Sequence, residues 1–353
     1  MRNHLTFPIL PVTTVSAALV ALVACKPPTA DTSSEVLKAF PAQAEFALYF
    51  DQESISDSSF SEAVEEMEED MGDVEAANMA NALGDRITEM TGLDDDDVSQ
   101  IAFSVSNIDA FATDPSQLQI SGAVSVGKSV SAAQIAEAIE FTASENGEEV
   151  DLDVVPGEKA DFIEFPKEED MPELVAAVMT GDSSTVAFFG DRPSVEASLA
   201  RETGSVPEAL LAPSEGLIEG QQGWISLILT DTLKAQLAGV SAQGAQMAPG
   251  LEKIQSLQSA GMAMKAGESL EIAIGLNLGS EADAQAITGV LNNQLISFAK
   301  MMVAGNTPEP LPLLETLSAS AAGDRSILSL VVSVGDLKII QDQMADFMPA
   351  GMG

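Results

Sequence analysis

Histidine and cysteine are nearly missing from this chain. Its 353 residues hold one of each, His4 and Cys25. Nothing after position 25 carries an imidazole or a thiol, which excludes Ser-His-Asp and Cys-His catalysis from residues 26–353. Zinc sites built on His or Cys and disulfides are excluded with them. General acid–base work near neutral pH would fall to carboxylates or lysines with shifted pKa values. Basic residues are scarce too: 15 Lys and Arg stand against 55 Asp and Glu, a net charge of −40. Nucleic acid needs a basic face that displaces counterions, so it is excluded as a partner. Docking of the body on anionic lipid is disfavoured for the same reason. Aromatic residues make up 5%, with one Trp and one Tyr, so Ala, Leu, Ile, Val, Met and Phe have to fill the core. No Gly-x-Gly-x-x-Gly follows a strand, no Gly-x-Ser-x-Gly elbow is present, and no segment is read as a phosphate loop. Beyond the first 25 residues, no apolar run reaches the roughly 20 residues of a membrane span.

The first 25 residues are of another kind. A charged start, Met1-Arg2-Asn3-His4, leads through Pro8 and Pro11 into an apolar core from about Val12 to Ala24. The core is short for a bilayer span, and the prolines shorten any helix further. It ends on Leu22-Val23-Ala24-Cys25. This run resembles the lipobox of bacterial lipoproteins, and the segment has the parts of an export signal. The resemblance implies that residues 1–24 are a signal peptide, cut before Cys25 after recognition of Leu22, Val23 and Ala24. It also implies a diacylglycerol on the Cys25 thiol and a protein held in the cell envelope by lipid. One diacyl unit with an amide-linked chain exceeds the two signals that stable anchoring takes. Lys26, not Asp, follows the cysteine, which by the same resemblance favours the outer membrane over the inner. An uncleaved anchor or an ordinary secretory signal is the alternative. Residues 25–38 then hold the acylated cysteine and a tether. Lys26 to Ser34, rich in Pro, Thr and Ser, reaches about 30 Å at full stretch.

Acidity is unevenly spread. Residues 26–213 hold 41 acidic and 8 basic side chains, a net of −33, whereas residues 214–353 hold 14 and 6, a net of −8. Solubility in a salty medium explains such a surface, with self-repulsion screened within about 10 Å. A binding face for calcium or a basic partner is the other reading.

The order of elements runs twice. In the first half, Glu45–Asp51, Ile101–Val105, Leu118–Val126, Asp161–Phe165 and Thr185–Phe189 have the composition and alternation of strands. Helices are expected from Ser59, where Glu62 completes a capping-box pattern, from Ser131 to Ala143, and near Pro193. Phe60, Val64, Met67, Met71 and Val74 recur at helical spacing. In the second half, Trp224–Asp231, Gly261–Ala266, Leu270–Leu278, Leu317–Ala321 and Ile327–Val334 read as strands. A helical Ala- and Gln-rich stretch follows the first of them. Long helices are expected from Ser280 to Val303 and from Asp336 to Phe347. The expected fold is α+β: two similar halves, 39–212 and 213–353, each an antiparallel sheet with helices packed on one face. Tandem duplication is one source of that similarity, and chance agreement is the other.

Few residues suggest chemistry. Ser125 and Lys128 have the Ser-x-x-Lys spacing of penicillin-recognising enzymes, but at a strand end, and the companion motifs are absent. Asp94, Asp95, Asp96 and Asp97 are weak candidates for calcium, which takes six to eight oxygen ligands. They lack the alternation, central Gly and closing Glu of an EF-hand, and capping a helix or turn is the plainer role. Glu65, Glu66, Glu68, Glu69 and Asp70 suit a solvated helix face, and Glu148–Asp153 and Lys167–Asp170 suit loops. A carboxylate pair for hydrolysis of envelope polysaccharide would have to come from these acids, but no spacing selects one. Trp224 and Tyr49 open the two halves as core or rim residues. The expectation is a non-catalytic, lipid-anchored envelope protein that binds or supports. No cofactor is expected beyond the lipid on Cys25, and no partner is specified beyond the membrane and an unidentified protein or polysaccharide. A cation-dependent binding module is the alternative, and a carboxylate-dependent hydrolase a remote one.

Overall fold

A computed structural model describes residues 33–71, 88, 90–93, 97–145, 147, 150–167, 171–202, 204–244, 249–306 and 312–347. Among them run β1 (Phe46–Asp51), β2 (Val98–Ser106), β3 (Gln119–Val126), β4 (Asp153–Val155), β5 (Asp161–Glu164) and β6 (Leu174–Thr180). They continue with β7 (Thr185–Asp191), β8 (Gly223–Ile228), β9 (Ser259–Ala266), β10 (Ser269–Asn277), β11 (Ser318–Ala322) and β12 (Arg325–Ser333). The longer helices are α1 (Ser59–Met71), α2 (Ala132–Glu145), α3 (Arg192–Ala200) and α4 (Asp231–Gly244). Then comes α5, which runs as Glu281–Val290, passes through a π-helical Leu291–Ile296 and ends as Ser297–Asn306. The last is α6 (Val334–Phe347). None of the described helices is long and apolar enough to cross a membrane.

The α+β plan holds, but the halves do not keep separate sheets. All twelve described strands form one antiparallel sheet, in the order β11-β12-β10-β9-β8-β1-β2-β3-β7-β6-β5-β4. The seam is an antiparallel ladder between β1 and β8, from Phe46 opposite Leu227 to Phe50 opposite Gly223. Outward from it the order is β1-β2-β3-β7-β6 on one side and β8-β9-β10-β12-β11 on the other. The first half adds β5 and β4 at its outer edge.

Strand alternation sorts small and large side chains to opposite faces. One row crosses the sheet as Ala273, Ala263, Trp224, Tyr49, Ala102, Ala123, Phe188 and Ala177. The alanines let other elements come close. Val36, Ala39 and Phe40 pack there, with Val195 of α3 and Leu210. Ser104 Oγ donates to the Ala39 carbonyl at 2.7 Å. Burying a side chain such as Phe188, wholly enclosed, contributes about 2–3 kcal/mol. The other face carries the large residues. α2 covers part of it, setting Ile135, Ala136 and Ile139 against Val124, Val126, Ala176 and Val178.

Helices therefore lie on both faces of the first half, α3 on one and α2 on the other, rather than on one as expected. The cause is β6, a strand that sequence reasoning missed. Its Val175, Ala176, Ala177 and Val178 are all buried, so both of its sides need cover. The short β4 was also missed.

The expected boundary near residue 213 is no loose linker. Leu210 and Pro213 are fully buried. A Cβ on Gly261 of β9 would stand 2.2 Å from the Pro213 carbonyl oxygen, so only glycine lets the connector lie this close. Arg325 of β12 pins the same segment, donating to the Ala212 and Glu215 carbonyls at 2.8 Å each. The cap of α1 is also corrected: Ser58 Oγ, not Ser59, accepts the helix-start bond, from the Ser61 N–H at 3.2 Å. The Ser59 hydroxyl instead donates to the Gly267 carbonyl. Ser280 caps α5 as expected, accepting from the Asp283 N–H at 3.2 Å.

Candidate functional site

Cys25 and the Leu22-Val23-Ala24 run before it lie outside the described residues. So do Asp94, Asp95 and Asp96 of the weak calcium candidate. Asp97 is described and buried, with its carboxylate 2.5 Å from Lys128 Nζ. Lys128 also donates to the Gly92 carbonyl at 3.0 Å, and the Asp97 carbonyl accepts from the Gly127 N–H at 2.7 Å. The pair latches the start of β2 to the end of β3. Among the described residues, no three of His, Cys, Asp and Glu are grouped to hold a metal. Glu66 is exposed, as a solvated helix face requires, while Val74, Glu148, Glu149 and Glu168–Asp170 fall outside the described residues.

Ser125 is buried within β3, and Lys128 is engaged by Asp97 beyond the strand end. Their spacing therefore builds no nucleophile at a helix start. Gly122 to Ser129 also has the Gly-x-x-x-x-Gly-Lys-Ser spacing of a phosphate loop, a match that the sequence reading passed over. The structure removes it. Gly122 to Val126 is extended strand, paired with β2 on one side and β7 on the other. Its backbone N–H groups serve ladders and cannot curl around a phosphate. The Phe189 ring covers Gly122, 2.1 Å from where a Cβ would stand.

Tyr49 and Trp224 meet directly across the β1–β8 seam, their rings stacked 6.2 Å apart, with Phe40 5.3 Å from Trp224 on its other contact. Burial, and then Asp51, pushes the Tyr49 phenol far above its ordinary value. These aromatics are core, as expected. Arg192 at the start of α3 is a clamp: it binds Glu173 and Glu164 at 2.5 Å each and lies over the Phe162 ring. Its charge is held on firmly, first by the Glu173 bond. Both arrangements fix the fold and leave no group free for chemistry.

What remains is a surface. On the large-residue face, one row runs Leu328, Ile274, Met262, Ile225, Leu48 and Phe103 across six strands. The next row runs Leu330, Ile272, Met264, Gly223, Phe50 and Ile101. All of these except Gly223 are only half-buried, whereas Ala47, Ala102, Ala263 and Ala273 on the opposite face are sealed. α2 closes one end of this floor. At the other end Leu233 and Leu237 of α4, with Ile287 and Leu291 of α5, close over Leu227 and Leu276. The floor holds no charged residue in these two rows and has flexible methionines at its middle, a chemistry suited to hydrocarbon. Sequence reasoning missed it. The signal was present in Phe-Ala-Leu, Ile-Ala-Phe, Ile-Ser-Leu, Met-Ala-Met, Ile-Ala-Ile and Leu-Ser-Leu, each a small residue between two large ones.

Searches of protein-family models, of curated proteins and of solved structures found no match to this chain.

Proposed function

We propose that the chain is a lipid-anchored, non-catalytic protein of the bacterial cell envelope that works by binding, with the half-buried apolar floor as its binding surface. That floor is the observation that carries the reading. A row of large side chains left partly open on β12, β10, β9, β8, β1 and β2 is costly in water unless something uses it. The lipobox-like Leu22–Cys25 supports the address, with the outer membrane favoured by Lys26. The lack of any imidazole or thiol after Cys25 supports a role without catalysis. The shared strand order of the two halves supports their origin by tandem duplication.

Two experiments test this. Cys25→Ser should release the chain from the detergent phase of a cloud-point extraction into the aqueous phase; a native chain already wholly aqueous overturns the anchor. An uncharged dye that brightens in apolar surroundings should bind the full chain and lose most of its signal on Met262→Glu. No binding, or binding unchanged by that substitution, overturns the floor.

A further inference from the structure

We propose that the outer face of α5 sits in the headgroup–acyl boundary of the membrane, a second attachment beside the lipid on Cys25; it rests on the anchored reading above. Leu295, Phe298 and Met301 are 49%, 55% and 63% exposed. Residues three apart are neighbours on a helix surface, so the three form one apolar strip. The other large apolar residues that stand out among the described ones are acid-flanked: Phe111 lies between Asp109 and Asp114, and Val154 and Val155 follow Asp153. The α5 strip is different. From Ala284 to Pro308 there is no acidic residue at all, and Lys300 is the sole charge, in a chain with 55 acids. Among the described residues Glu315 approaches, its carboxylate 4.0 Å from the Lys300 ammonium. Exposed neighbours on the helix, Asn293 and Ser297, are neutral. An apolar strip with a neutral rim and one cation suits an anionic bilayer surface, which repels the rest of the body.

The full acylated chain tests it. Acylation consumes the Cys25 thiol, so Phe298→Cys carries the sole free thiol, at a site exposed enough to substitute without opening the core. It is labelled with an environment-sensitive nitrobenzoxadiazole probe and reconstituted on vesicles of phosphatidylethanolamine and phosphatidylglycerol. Phe111→Cys, labelled alike, is the reference. Flotation of the vesicles reports anchoring. The expected result is flotation, with a blue-shifted 298 probe that loses most of its emission to doxyl-labelled lipid while the 111 probe does not. Flotation with a 298 probe as wet as the 111 probe overturns the helix contact alone. A blue shift without quenching by doxyl lipid means contact with a second copy and also overturns it. A chain that fails to float takes both readings down.

Discussion

Replacing Trp224 by alanine should destabilise both halves of the chain together. Trp224 is 5% exposed and sits in the ladder that joins β8 to β1. Its loss leaves a cavity against Phe40 and Tyr49, whose rings lie 5.3 and 6.2 Å away. Truncation of a buried aromatic costs about 3–5 kcal/mol, with the two ring pairs falling within that range. Taking about 4 kcal/mol and a urea dependence of about 3 kcal/mol per molar, the midpoint should fall by more than about 1 M. The assay is urea unfolding of the full chain followed by far-ultraviolet circular dichroism, with amide exchange read separately on β3 and β10. Both strands should lose protection at the same lowered midpoint. Protection lost in β10 but kept in β3, or a midpoint shift below about 0.3 M, would refute the claim that the seam couples the halves.

Other expectations are narrower. Gly261→Val should cost about 2–3 kcal/mol by forcing Pro213 off β9, read as a lower midpoint in urea. Lys128→Met should cost about 1–2 kcal/mol, because Asp97 is left buried without its ammonium; Asp97→Asn in the same background should recover part of it. Glu53 has its carboxyl raised, first by burial and then by Asp51 and Asp57. A raised acid favours the protonated form in the folded chain, so its contribution is fully present at low pH and lost as pH rises through the folded value. Glu53→Gln should therefore melt above wild type at pH 7, with the gap closing as pH falls through the carboxylate range; a constant gap would count against it. Added salt should raise the melting temperature of the full chain, since 41 acids crowd residues 26–213.

Much of the fold was legible because the strands alternate. Ten of the twelve described strands have counterparts in the sequence reading, and the cap at Ser280 and the helix start near Pro193 fall where Ser and Pro predict them. β6 escaped because Leu174–Met179 is apolar throughout, with no period to distinguish strand from helix core. The seam escaped because pairing of β1 with β8 joins residues far apart in the chain, and local pattern carries no such information. The candidate site was half legible. Each large-small-large triplet was visible, but which faces align depends on register across six strands. The Ser-x-x-Lys and phosphate-loop spacings mislead in the opposite direction: both fall on β3, whose backbone is committed to neighbours on either side.

The sheet is open, so it ends in two rims. One rim, β4, is three residues long and begins with Asp153, a poor template for any newcomer. The other, β11, is Ser-Ala-Ser-Ala-Ala, uncharged and exposed along most of its length. Side chains of α5 occupy that edge: Asn292 donates to the Ala319 carbonyl at 2.7 Å and accepts from the Ala319 N–H at 3.1 Å, and Thr288 donates to the Ser320 carbonyl at 3.3 Å. The acidic surface adds mutual repulsion between copies, which fades to a range of about 3 Å at molar salt. Brine that firms each molecule thus still leaves the β11 rim plugged by α5, and a newcomer strand would first have to displace Asn292.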